Sequence, residues 1–97
     1  MNKEEAIERI VQWYVSDTIG FVDLVLDDSE IDPHYSAVTL CDRIKLYLEY
    51  IKLTTGADST VSEFLDESGY DADSINLIER KRADESKYYR RSGMGDN

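Results

Sequence analysis

The chain has 97 residues, 41% of them hydrophobic and 10% aromatic, with 21 Asp/Glu against 11 Lys/Arg for a formal net charge of −10. That is enough for one domain with a modest core; one cysteine excludes an internal disulfide, and one histidine beside it disfavours a zinc site within the chain. No stretch approaches the roughly 18 apolar residues of a membrane-spanning helix, and the N-terminus MNKEEAIERI lacks a signal peptide's apolar segment, so a reducing, cytoplasmic setting is expected.

In chain order, Asn2-Lys3-Glu4-Glu5 has the pattern of a helix cap with a carboxylate at the third helical position. The helix it opens carries Ile7, Ile10, Val11 and Tyr14 on one face, with Trp13 and Val15 beside them, and Trp13 is expected in a core or an interface. Ser16-Asp17 can cap a second helix over Ile19–Leu26 (IGFVDLVL). Helix is favoured over strand there because no hairpin signal or second alternating run supplies a partner strand.

The run Asp27-Asp28-Ser29-Glu30-Ile31-Asp32 is a connection dense in carboxylates, but it does not make an EF-hand. Counted from Asp28, the sixth position is Pro33 where the turn needs Gly, and the twelfth is Leu40 where the site needs Glu. Asp66 to Asp73 fails the same test. Neither metal nor cofactor is expected.

Asp32 as N-cap, Pro33 in the first turn and Gly56 after the last frame a long helix over 33–55, the expected centre of the fold. Ala37, Cys41, Ile44, Leu48 and Ile51 share its core-facing stripe, flanked by Leu40 and Tyr47. Cys41 on that stripe is expected to be a buried, unreactive thiol. Leu46, Tyr50 and Leu53 fall on the opposite side, so the C-terminal half has two apolar faces. The second needs a cover from another helix of this chain or from another chain, as in a homodimer or a partner complex.

Ser59 or Thr60 caps a short helix, with Glu63 placed for a capping box and Val61, Phe64 and Leu65 inward; it stops at Gly69. Asp71 or Asp73 caps the last helix, which buries Ile75 and Ile78 with Leu77 on their flank. Beyond Ile78 the apolar stripe fades into a solvated helix bearing Arg80, Lys81, Arg82, Arg90 and Arg91. The expected fold is all-α, a compact domain of four to five helices over residues 1–92 with a long central helix, followed by a flexible tail, 93–97.

Charge is unevenly spread. Residues 1–79 hold five Lys/Arg and eighteen Asp/Glu, a net of −13, while residues 80–97 hold six and three, a net of +3. Such a field repels nucleic acid and anionic membranes and favours basic partners.

Thr60 to Arg80 (TVSEFLDESGYDADSINLIER) resembles a helix-turn-helix, with Gly69 at the turn and Ile75 and Ile78 at its apolar spacing. The resemblance implies a transcriptional regulator that contacts duplex DNA, aided by the basic C-terminal helix. The segment departs from the pattern where function resides: Asp71 and Asp73 stand at the front of the second helix, and Leu65 replaces a small residue in the first. Asp73-Ser74-Ile75 also looks like the attachment site of acyl carrier proteins, but only 23 residues follow Ser74, and the helix in the matching place begins Pro33-His34-Tyr35.

No phosphate loop or nucleophile elbow is present, and His34 has no evident nucleophile beside it, so an enzyme is not expected. The leading expectation is a small acidic protein-binding module that inhibits or regulates a partner with a basic surface, such as a nucleic-acid-processing complex. Carboxylates at i and i+4 lie about 6 Å apart, close to the spacing of successive phosphates, so nucleic-acid mimicry is geometrically open. Phage-type inhibitors, anti-CRISPR and anti-restriction proteins among them, share this composition. The partner-facing residues expected are Asp23, Asp27, Asp28, Glu30 and Asp32, then Glu63, Asp66, Glu67, Asp71 and Asp73. A dimeric structural or assembly subunit using Leu46, Tyr50 and Leu53 is the alternative beside the regulator.

Overall fold

Apolar residues at three- and four-residue spacing, punctuated by local caps, build four helices: α1 Lys3–Asp27, α2 Ala37–Thr55, α3 Val61–Glu67 and α4 Ala72–Met94. The structure, a computed structural model, describes residues 2–27 and 36–94, with side chains as far as Glu85. Among the described residues there is no strand, and α2 packs against all three other helices. The fold is all-α.

One expectation about α1 is corrected. Ser16-Asp17 does not open a second helix; α1 runs unbroken through it for 25 residues, so the described residues form four helices, the lower of the four to five expected. The reason is tertiary. Val11, Thr18, Val22 and Val25 continue one inward stripe through the position, and the Asp17 carboxylate takes the guanidinium of Arg43 instead of capping a helix. The Thr18 hydroxyl donates back to the Tyr14 carbonyl at 2.7 Å and receives Arg43 Nε at 2.8 Å.

The central helix is shorter than expected. Ser36 has extended backbone (φ −85, ψ 160), and its Oγ accepts from Thr39 N, so the helix starts at Ala37. Asp32 and Pro33, the expected cap and first turn, lie outside the described residues. α2 has 19 residues against 25 in α1 and 23 in α4; it is central by packing and not by length. No acidic residue stands in its first turn. The Glu85 carboxylate of α4 supplies that charge, accepting the Ala37 N–H at 3.0 Å at the positive end of the helix dipole. At the other end Gly56 takes a left-handed φ of 80° and returns its N–H to the Lys52 carbonyl, a conformation that costs other residues more.

The short helix forms as its sequence dictates. Thr60 Oγ1 accepts from Glu63 N while Glu63 Oε1 accepts from Thr60 N, a complete capping box. Gly69 (φ 97) turns the chain, and Asp71 caps α4 by accepting Ser74 N at 2.8 Å.

The core is Val22 and Val25 of α1, Ala37, Leu40, Cys41 and Ile44 of α2, Phe64 and Leu65 of α3, and Ile78 of α4. Leu48, Tyr47, Val61 and Ile75 pack against it half-buried, and the Tyr47 and Phe64 rings meet edge to face at 5.6 Å. The α1 residues of this core come from its C-terminal half, and the α2 residues from the part that α3 and α4 reach. The N-terminal half of α1 is different. Ile10, on the apolar face with Ile7, is 65% exposed, Trp13, expected in a core or an interface, is 64% exposed, and Ile7 is also exposed.

Candidate functional site

Two surfaces stand apart, one acidic and one apolar. The acidic surface is assembled around Tyr70. Its hydroxyl donates to Asp23 Oδ1 at 2.8 Å, with the Ile19 carbonyl at 3.3 Å, and so ties the α3–α4 turn to α1. Burial, reinforced by the bond to Asp23, pushes this phenol up to about 12, so it remains a donor throughout the ordinary pH range. Asp66 and Glu67 close α3, Asp71 and Asp73 open α4, and all four are exposed. The structure thereby brings five of the expected acidic residues to one end: Asp23, Asp66, Glu67, Asp71 and Asp73. The segments that build this end, residues 19–27 and 57–79, contain no Lys or Arg.

The other acidic positions divide. Glu63 is exposed but engaged in the capping box. Asp27 ends α1, and Asp28, Glu30 and Asp32 lie outside the described residues. The Asp71 carboxyl is held below the usual carboxylate range by the hydrogen bonds it receives from the backbone and side chain of Ser74.

The basic C-terminal helix is only partly available for contact. Arg80 and Arg82 are exposed, whereas Lys81 turns inward and donates to the Val25 carbonyl at 2.8 Å, closing α4 onto α1. The side chains of Arg90 and Arg91 lie outside the described residues. α3 and α4 do form two helices joined by a tight turn, but the front of the second carries the Asp71 cap and Asp73. The Asp73-Ser74-Ile75 segment likewise lies in the first turn of α4, where Ser74 is the capped residue.

The apolar surface lies at the far end of the α1–α2 pair. Leu46 and Leu53 are 65% and 79% exposed, and Tyr50 is also exposed. No helix of the described chain covers the second apolar face of α2. Tyr50 shares a shallow depression of about 360 Å³ with Glu4, Ile7, Glu8, Val11 and Gln12 of α1, which joins the two helices' outer residues into one surface.

Between the two surfaces sits Arg43. Its guanidinium lies 4.7 Å from the Tyr14 ring centre, pairs with Asp17 and bonds Thr18, while the Tyr14 hydroxyl donates to the Arg43 carbonyl at 2.8 Å. One signal pointed to it: Arg43 is the first base after Arg9. Tyr70 carried no such signal, since its partner lies 47 residues away.

Cys41 is buried and its thiol is pushed up by that burial, which keeps it protonated and unreactive. His34 lies outside the described residues. Among the described residues no group of three His, Cys, Asp or Glu side chains is placed to hold a metal ion, and no helix is long and apolar enough to cross a membrane. Compared with protein families, with curated proteins and with solved structures, the chain matches none.

Proposed function

We propose that the protein is a non-enzymatic binding module that uses its acidic end to inhibit or regulate a protein partner with a basic surface, working in the cytoplasm. The observation that carries this reading is the convergence of Asp23, Asp66, Glu67, Asp71 and Asp73 around Tyr70, from segments that contain no basic residue. A dense single-sign patch on a rigid helical end speeds association with an oppositely charged surface and disfavours neutral ones. A nucleic-acid-processing protein is the natural partner, because its binding groove is already built to take a row of negative charges. In that role the acidic end stands in for phosphates, as in phage-type inhibitors.

Asp23 and Asp71 also hold the fold, through Tyr70 and the α4 cap, so they are poor residues for a functional test. Asp66, Glu67 and Asp73 serve better. Tagged wild-type protein and the D66N/E67Q/D73N variant are used to capture partners from host lysate, each washed at low and high salt and identified by mass spectrometry. The reading expects a basic nucleic-acid-processing protein that is retained at low salt, lost at high salt, and bound at least tenfold more weakly by the variant. Capture of nucleic acid alone, or of a partner indifferent to both salt and the three substitutions, contradicts it.

A further inference from the structure

We propose that the exposed face of Ile7, Ile10, Trp13, Leu46, Tyr50 and Leu53 is the interface of a symmetric homodimer, in which the α1–α2 layer of one copy stacks on that of a second. This inference is independent of the acidic end and uses none of its residues.

The face is continuous by construction. Arg43 lies over Tyr14 and pairs with Asp17, which fixes those two turns side by side. From there the α2 stripe runs Arg43, Leu46, Tyr50, Leu53, and the antiparallel α1 stripe runs Asp17, Tyr14, Ile10, Ile7. Both have the three-four spacing of helices that pack along a seam. Trp13 adds to the outer edge of α1, and the depression shared by Ile7 and Tyr50 closes the far end.

The size suits a stable pair. The exposed fractions of the six side chains amount to about three and a half whole residues, or roughly 700 Å² at about 200 Å² for each large side chain. A standard interface buries about 800 Å² per partner, whereas the largest apolar patch on a typical monomer is about 300–600 Å². The other described helices lie elsewhere: Asp27 and Ser36 mark the other end of the α1–α2 pair, and α4 meets α2 there through Glu85 and Ala37.

Charge at the rim fits a second copy. Arg9 borders the face on α1, one turn before Trp13, and Asp42 and Glu49 border it on α2, one turn either side of Leu46. The one ionised pair within the face, Asp17 with Arg43, is already satisfied. A twofold axis parallel to the helices lays α1 antiparallel on the second copy's α2 and keeps every residue at its own height. Since Tyr14 is level with Arg43 and Ile7 with Tyr50, Arg9 comes level with the second copy's Glu49. The axis makes this contact twice, and it covers Trp13 and Ile10 with the second copy's Leu46 and Tyr50.

The test is the concentration dependence of mass by sedimentation equilibrium, with the emission of Trp13, the chain's one tryptophan, as a local report. The wild type is expected to be a dimer at micromolar concentration, with Trp13 emission moving to shorter wavelength as it forms. Salt should leave the dimer intact, because screening relieves the repulsion between two chains of −10 each. Leu46→Glu with Leu53→Glu should raise the dissociation constant by at least about a hundredfold with helical content unchanged. Arg9→Glu should weaken the dimer, and adding Glu49→Arg in the same chain should restore it. A wild-type monomer at 100 µM and above, on the order of the weakest stable pairs, overturns the proposal. So does a dimer that ignores the Leu46 and Leu53 substitutions, or one that Arg9→Glu weakens and Glu49→Arg does not rescue.

Discussion

From Thr18 to Val25, α1 is held on its inner face by α2 and tied to the rest of the chain by Tyr70 and Lys81; from Ile7 to Trp13 the same helix has Tyr50 of α2 beside it and an open outer side. Both halves are rich in apolar residues. Only the first is a core. The difference lies in the third layer: α3 and α4 reach Val22, Val25 and the start of α2, and they do not reach Ile10, Trp13, Leu46 or Leu53. An amphipathic helix becomes core or contact surface according to what arrives to cover it.

The largest break in this comparison comes from the covered half. Ile78→Ala empties a fully buried position where α4 meets the core and is expected to cost about 3 kcal/mol of unfolding free energy in urea titration. Leu53→Ala removes a comparable side chain from the open half, and in the single chain it should change stability by less than about 0.5 kcal/mol. Similar losses at the two sites would erase the distinction. A smaller effect is expected at the border. Arg43→Met keeps the aliphatic stem but loses the bonds to Asp17 and Thr18 and the contact with the Tyr14 ring; about 1 kcal/mol should follow, since the site is partly exposed.

A pH dependence is expected at the acidic end. The folded state raises the Tyr70 phenol to about 12, above the roughly 10 of an unfolded tyrosine, so folding favours the protonated form. Its contribution is complete below the unfolded value and lost as pH climbs from about 10 to about 12. Tyr70→Phe should flatten stability across that window, and should remove a late-ionising phenol from the ultraviolet titration of the wild type. Asp71 acts with the opposite sign at the other extreme: its lowered carboxyl stabilises α4 above the ordinary carboxylate range and stops doing so as pH falls through its folded value.

The devices that were legible in the sequence are those made by neighbours. Thr60 with Glu63, Gly56 after α2, and Asp71 before α4 each act within about one helical turn, and each forms as its residues imply. Ser16-Asp17 shows the limit of such reading. It is a sound local cap, but Arg43, 26 residues further on, claims the Asp17 carboxylate and the helix continues. At the start of α2 the Ala37 N–H likewise goes to Glu85, 48 residues away. The sequence left open whether Trp13 lies in a core or an interface for a related reason: helical periodicity separates the faces of a helix but does not say which of them the chain returns to cover. For the candidate site, the acidic residues were legible as a list and their meeting was not, because it depends on a bond between Tyr70 and Asp23.

Amide hydrogen exchange along α1, measured on the L46E/L53E variant so that no second copy shields the helix, tests the division most directly. Amides from Thr18 to Val25 should exchange only through global unfolding, while those from Ile7 to Trp13 should exchange at least about a hundredfold faster through local opening. Uniform protection from Ile7 to Val25 would contradict the account, because the open half of α1 would then be held as firmly as the core.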